Sequence, residues 1–326
     1  MEGMKMEVAI WMVAYNHQDF VARAIESVLK QQTDFRYKLF IGEDYSTDNT
    51  RSICIEYAKM HPDIIELILH EKNVGPTANA QAVYRACFNS EASFVAMCEG
   101  DDYWIDPNKL QKQVDFLRAN SDYSLVSGGF MEVDENGSEG QMRVHKLPTG
   151  EKMLGNGFVI TKEIFARQWY VNTFTITFRK EWIDFEAFKK YEAIKDTHLF
   201  YYLIQKGPGY YLLDVLAAYR KHSGGVFSAI GRAAQLSQLY KDYSQLYRYH
   251  PIDFEIKYKR ILIDILRLPA DVFHKSLPKR AAVQRKLFSM VKTENDFFEL
   301  CSFVGVKNPR LISLSLRLLR LFGKVR

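Results

Sequence analysis

The sequence predicts an α/β protein, with a mainly parallel sheet carrying helices on both faces, followed by a mostly helical C-terminal region. Three observations carry this. Residues 8–14 read Val-Ala-Ile-Trp-Met-Val-Ala, a continuous apolar run with β-branched members, as in a strand buried on both faces. Similar short runs then alternate with segments of helical spacing as far as Cys98. Past Gly231 the spacing stays helical, and Pro251, Pro269, Pro278 and Pro309 break it into two or three segments. A boundary near 230 follows, with a front domain over 1–230 and a helical region over 231–326.

Each element has a local reason. After the first strand comes a polar turn, Tyr15–Asp19. Phe20–Gln32 then places Val21, Ala24, Ile25, Val28 and Leu29 on one helical face. Tyr37–Gly42 is a second strand. Ser46-Thr47-Asp48 supply capping oxygens for a helix over Thr50–Met60. Ile64–His70 is a third strand, Asn73–Pro76 a turn, Thr77–Phe88 a helix and Phe94–Cys98 a fourth strand. From Ser124 the pattern loosens. Asp134–Gly137 reads as a hairpin turn, 140–160 as a mixed loop and Trp169–Arg179 as a strand. Asp196–Lys206 reads as a helix and Leu212–Arg220 as a strand.

Composition bounds the function. The chain has 326 residues, 47% hydrophobic and 25% charged, which suits one large globular domain or a domain with an appendage. The net charge of +5 conceals an asymmetry: residues 231–326 hold 19 Lys/Arg against 8 Asp/Glu, so the front part is acidic. An acidic front argues against nucleic acid as a partner. A basic tail fits an anionic partner, a membrane surface first. Cys54, Cys87, Cys98 and Cys301 are scattered without a CxxC pair, so neither a disulfide framework nor a zinc site is expected. With no apolar run of about 18 residues and no signal-peptide pattern, the expectation is a cytoplasmic protein, peripheral on the inner face of the cell membrane. Pro309–Arg326 threads Leu, Ile and Phe with Arg and Lys and has no acid. It either lies on an anionic membrane or packs as a terminal helix.

The chemistry sits at the strand ends. Strand one ends in Ala14-Tyr15-Asn16, strand two in Glu43-Asp44 and strand four in Glu99-Gly100-Asp101-Asp102. In a parallel sheet these meet at one rim, where ligands bind. Converging carboxylates repel, and a divalent cation such as Mg²⁺ or Mn²⁺ with a bound diphosphate offsets that repulsion. The plainer alternative is that acids populate exposed loops and helix starts. His222 sits in Arg220-Lys221-His222-Ser223-Gly224-Gly225, which either wraps phosphate and completes a metal shell or is a loop with an incidental His. The other seven histidines read as surface or structural. Trp104 lines a ligand pocket at this rim or packs in the core, and Gly75 and Asn79 shape the floor of that pocket. Asp196 opens a helix, where Asp also serves as a cap.

Together the stretches VAYNHQDFVARAIESVL, IGEDYSTDNT and CEGDDYW, with the weaker IKDTHLF and YRKHSGGVFS, resemble a family 2 glycosyltransferase of GT-A fold. The resemblance runs from about Val8 to Ser228. It implies that Ala14, Tyr15 and Asn16 line the nucleotide site with Glu43, Asp44 and Asp101, with Tyr15 against the base and Asp44 accepting the uracil N3–H. Glu43 stands where many members have Asp. Asp101 and Asp102 match the DxD-type metal motif, with Glu99 in place of its usual first Asp. Asp102 is then the direct ligand of Mn²⁺ or Mg²⁺, Asp101 is on the ribose or the metal, and His222 completes the shell. Asp196 falls where the family carries its catalytic base. The implied reaction is inverting transfer from a nucleoside diphosphate sugar, UDP-linked first, to a glycan or lipid-linked acceptor in surface polysaccharide assembly. A sugar nucleotidyltransferase would need a Gly- and Arg-rich loop after strand one, and Tyr-Asn-His-Gln-Asp has no Gly. The third reading, a non-catalytic nucleotide-sugar binding protein of the same fold, has intact Asp101, Asp102 and Asp196 against it, while Glu99 in the metal motif leaves room for it.

Overall fold

The computed structural model describes residues 5–192, 195–225, 230–269 and 277–291. The chain forms two compact units, Met1–Ser223 and Gly224–Arg326.

The first unit opens with β1 (Met6–Ala14), α1 (Val21–Leu29), β2 (Arg36–Glu43), α2 (Thr50–Met60), β3 (Ile65–Leu69), α3 (Pro76–Asn89) and β4 (Phe94–Met97). β1 is central because its residues are buried on both faces. Val8, Ile10, Met12 and Ala14 join a core with Ile25 and Val28 of α1, Cys54 of α2 and Leu110 and Val114 further on. The opposite face meets α3, where Trp11 donates its indole N–H to the Ala80 carbonyl at 3.1 Å and stacks on Tyr84. β1 pairs in parallel with β2, bringing Ala14 level with Glu43, and with β4, bringing Trp11 level with Met97.

β5 (Tyr103–Trp104), α4 (Lys109–Ala119), β6 (Leu125–Val133), β7 (Glu139–Arg143), β8 (Met153–Leu154), β9 (Gly157–Ile160), α5 (Lys162–Arg167), β10 (Thr177–Arg179), α6 (Asp196–Lys206) and β11 (Gly209–Arg220) complete the unit. The sheet order is β3-β2-β1-β4-β10-β6-β11-β9-β8. β10 is antiparallel to both β4 and β6, and β6 is parallel to β11. The strands β1, β2, β4, β6 and β11 therefore share one direction and end at one rim. β5 pairs with β11 across Ala217 and Ala218, which ties the segment after β4 to the last strand.

Two sequence expectations are corrected. The stretch 140–160 holds three short strands rather than a loop. β7 and β8 are exposed along their whole length, so no apolar alternation marks them. Of Trp169–Arg179 only Thr177–Arg179 is strand. Tyr170, Val171 and Phe174 are buried as irregular chain filling the core, which gives a strand-like composition without a strand.

The second unit contains α7 (Arg232–Tyr249), α8 (Pro251–Arg267) and α9 (Arg280–Ser289). Tyr258 of α8 stacks on Tyr240 and Tyr247 of α7, and Phe254 meets Tyr243 edge-on. Pro251 sits in the first turn of α8, where its missing N–H costs nothing. Pro309–Arg326, expected as a membrane or packing helix, lies outside the described residues. Among the described residues no helix is long and apolar enough to cross a membrane.

Candidate active site

Turns from β1, β2, β4 and β11 meet at the rim. The first two brace each other. The Asn16 N–H donates to Ser46 Oγ (3.0 Å), and Asn16 Oδ1 accepts from the Thr47 N–H (2.9 Å). The Gln18 N–H donates to Asp48, and the His17 N–H to Thr50 Oγ1 (2.7 Å). Asn16 and Tyr45 both take positive φ, 55° and 58°. Tyr15 is exposed on this rim and has no hydrogen bond or ring contact of its own among the described residues. Ala14, expected on the nucleotide, is buried, and its carbonyl accepts the Asp44 N–H.

The two acids closing β2 part ways. Glu43 is fully buried, pairs with Arg51 at 2.7 Å and accepts the Ser46 N–H. It was expected to touch the nucleotide, but it faces the interior and fixes the turn instead. Asp44, also buried, accepts the N–H groups of Val74 (2.7 Å) and Gly75 (3.0 Å) and so secures the loop before α3. Gly75 takes φ +85°, open to glycine without strain. Asn79 lies beneath, donating to the Gly42 carbonyl and meeting His70 Nε2.

A second pair of neighbouring acids divides likewise. Asp101 faces outward, its Oδ2 lying 3.1 Å from His222 Nε2 and 3.8 Å from His17 Nε2. Asp102 turns inward. Its Oδ1 accepts the Arg220 N–H at 2.8 Å, and its Oδ2 is buried without a partner. The expectation of Asp102 as the direct metal ligand thus meets a carboxyl sealed under β11. Gly100 is required just before them, since a Cβ there would come within 2.8 Å of the Val13 carbonyl. The Arg220 guanidinium donates to the carbonyls of Asp101, Asp134 and Glu135 and lies over Phe20, which packs against His222.

His17 and Arg220 were missed as site residues. Position was the available signal, since His17 follows Tyr15-Asn16 directly on a strand end, and Arg220 begins the motif holding His222. Trp104 is a core residue, its indole N–H donating to the Phe174 carbonyl.

Electrostatics join the catalytic-base candidate to this cluster. Burial and then the charges of Asp101 and Asp196 push Glu99 up to about 8. Burial also pushes Asp102 well above the carboxylate range, helped by Asp101 and Glu99. Burial acts on Asp101 in the same sense, but the His222 hydrogen bond and the neighbouring His17 outweigh it and hold Asp101 below its ordinary value. Burial lowers His17 despite Asp101 beside it. Asp196 is the first residue of α6, with Lys195 in the cap position. Its Oδ1 accepts the Thr197 N–H at 2.7 Å, and Thr173 Oγ1 lies 3.5 Å from its Oδ2. Its carboxyl is raised by the surrounding protein, against those hydrogen bonds.

Among the described residues, no cage of three or more His, Cys, Asp or Glu is gathered for a metal. The Asp101 carboxylate and His222 imidazole nonetheless make a mixed oxygen and nitrogen pair at 3.1 Å. The carboxylate suits Mn²⁺ or Mg²⁺, which take most of their ligands from phosphate and water, whereas imidazole is not a usual Mg²⁺ ligand.

Residues 9–191, more than half the chain, match the model of Glycosyl transferase family 2, and the chain belongs to that family. It is 29% identical over 171 residues to UDP-Glc:alpha-D-GlcNAc-diphosphoundecaprenol beta-1,3-glucosyltransferase WfgD of Escherichia coli, covering 52% of this chain and 64% of that one. It is 26% identical over 111 residues to dTDP-rhamnosyl transferase RfbG of Shigella flexneri, covering 34% and 38%. A Mycobacterium tuberculosis relative of unassigned activity, Rv1520, is 29% identical over 165 residues, 49% of this chain and 47% of that one. The chain thus spans about half the length of the curated relatives it matches. Two solved structures share the fold at 14% identity. Residues 1–349 of Staphylococcus aureus TarS, in complex with UDP-GlcNAc, superpose with a TM-score of 0.53 over 96% of this chain and 92% of that one. The mannosyltransferase PcManGT of Pyrobaculum calidifontis, in complex with GDP-Man and Mn²⁺, gives 0.55 over 87% and 75%.

Proposed function

We propose that the protein moves a glycosyl unit from a nucleoside diphosphate sugar, UDP-linked first, to an acceptor hydroxyl with inversion. The observation that carries this is the Asp101–His222 pair, 3.1 Å apart where the ends of β4 and β11 meet. One side of the cluster is fitted to a diphosphate leaving group and the other offers a carboxylate to the acceptor.

In this reading Tyr15 lies against the base and Asp44 accepts the pyrimidine N3–H. An ionised carboxylate has about four acceptor sites, so the Val74 and Gly75 amides leave Asp44 room for a third donor. Asp101 and His222 would hold Mn²⁺ or Mg²⁺, and such a cation, when bound, offsets the charge growing on the departing diphosphate. Asp102 fixes the Arg220 backbone and with it the start of the His222 turn. Asp196 takes the acceptor proton, and its raised carboxyl brings the base nearer a working pH. The catalytic part is residues 1–230.

The name of the Escherichia coli relative, with its diphosphoundecaprenol-linked acceptor, supports a lipid-diphosphate-linked sugar as the acceptor here. A basic region over 231–326 that meets the membrane carrying that lipid fits the same picture, within surface polysaccharide assembly. Calorimetry of UDP with and without Mn²⁺, on the wild type and on Asp101→Asn, tests the donor site. Metal-dependent binding that the variant loses supports the assignment. Metal-independent binding, equal in both proteins, refutes it.

A further inference from the structure

We propose that Tyr45 is a second aromatic wall of the nucleobase site beside Tyr15, selecting a pyrimidine nucleoside diphosphate. The inference rests on the reading of this rim as the nucleotide site.

Tyr45 holds φ at 58°, a left-handed conformation that glycine adopts freely and a bulky residue rarely does. The turn makes no internal use of the phenol, whose hydroxyl has no partner among the described residues. Tyr45 as a whole is 46% exposed. Its one ring contact among the described residues is the Arg51 guanidinium, 5.2 Å from the centroid. Arg51 is itself fixed by the buried Glu43 and by the His70 carbonyl. A buried acid thus anchors a cation, and the cation props one side of an aromatic ring whose remainder is open to solvent.

What lies around that ring fits a base. Tyr45 directly follows Asp44, a buried acceptor with capacity to spare. Ala14 is level with Glu43 on the adjacent strand and the Asn16 N–H reaches Ser46 Oγ, so Tyr15 and Tyr45 are carried between these two points of contact. Adjacent strands are about 4.8 Å apart, so both rings are rooted within reach of one small heterocycle. Their hydroxyls and faces are unused by each other. The cross-bonds from Asn16 to Ser46 and Thr47 hold the two turns in this relation. Two exposed rings flanking an acceptor for a single N–H match the flat face and N3–H edge of uracil or thymine. A strained backbone persists where the surroundings over-determine it, and such strain concentrates at ligand sites.

The test uses the full chain, with Tyr45→Gly, Tyr45→Phe and Tyr15→Ala, and titrates UDP and inorganic diphosphate in the presence of Mn²⁺. Base stacking predicts about tenfold weaker UDP binding for Tyr45→Gly. Diphosphate binding stays unchanged, and the melting temperature is equal or higher because glycine relieves the turn. Tyr45→Phe recovers most of the lost affinity. Unchanged UDP affinity in Tyr45→Gly, or an equal loss for both ligands, overturns the inference. The donor-site reading survives that result if Tyr15→Ala weakens UDP and spares diphosphate. A wild type that binds neither ligand overturns both.

Discussion

Neighbouring acids with opposite fates are the clearest feature at the residue scale. Glu43, Asp44 and Asp102 are buried braces, whereas Asp101 faces the rim beside His222. That an acidic cluster belongs to the rim was legible, because strand ends are where such residues gather. Which of these acids faces outward was not, since a strand end leaves its direction to the next turn. Asp196→Asn is expected to lower kcat by about 10²–10⁴-fold, the range of general-base help, while UDP affinity measured by calorimetry stays the same. Because the Asp196 carboxyl is raised, the acid limb of the kcat/KM profile should lie above the ordinary carboxylate range. Lys109 yields a prediction about stability. It is fully buried, donates to Gln113 Oε1 at 2.8 Å and lies over the Trp104 ring. Burial lowers its pKa from 10.5 to about 7. Between those values the unfolded chain holds the extra proton, so stability rises with pH across that window. Urea denaturation at pH 7 and pH 9 should show this gain in the wild type and not in Lys109→Met.

At the scale of elements, β1 to β4 and their helices were legible because strands buried on both faces read as unbroken apolar runs. The segment 139–160 was not, because exposed two- to five-residue strands carry neither a run nor an alternation. Trp169–Thr175 misled for the converse reason, as buried aromatic chain needs no regular hydrogen bonding to be apolar. Close packing of elements sets a further expectation. Gly42 of β2 lies against α3, where an added Cβ would meet Asn79 Oδ1 and, at 2.5 Å, Val83 Cγ2. Overpacking typically costs about 1–3 kcal/mol. Gly42→Ala should shift the urea midpoint down accordingly and loosen the loop that Asn79 supports.

For the whole molecule, charge divides where the chain divides. The excess of Lys and Arg lies in 231–326, beyond the acidic front part. If the tail meets an anionic membrane, the full chain sediments with liposomes containing anionic lipid and a chain ending at Asn308 does so less. Equal sedimentation of the two would remove Pro309–Arg326 from the membrane-binding surface. The sheet that carries the site was readable from the alternation of its first four strands. The sharing of the site between β4 and β11 came only from the family resemblance, which set His222 in one shell with Asp101 and Asp102; strand spacing does not show it, because β10 and β6 stand between the two strands and the β5–β11 contact ties them.

The meeting of His222 with Asp101 spans 121 positions, and that of Arg220 with Asp102 spans 118. On a ribosome, β1 to β4 emerge and stack with their helices long before β11 has been made. During that interval the nascent chain presents Tyr15, Asp44 and Asp101 without the His222 imidazole that meets Asp101. Translation itself therefore acts as a safety catch. On the proposed function, a sugar nucleotide captured by the unfinished chain would find half a site, and its activated bond would be spared until the last strand arrives.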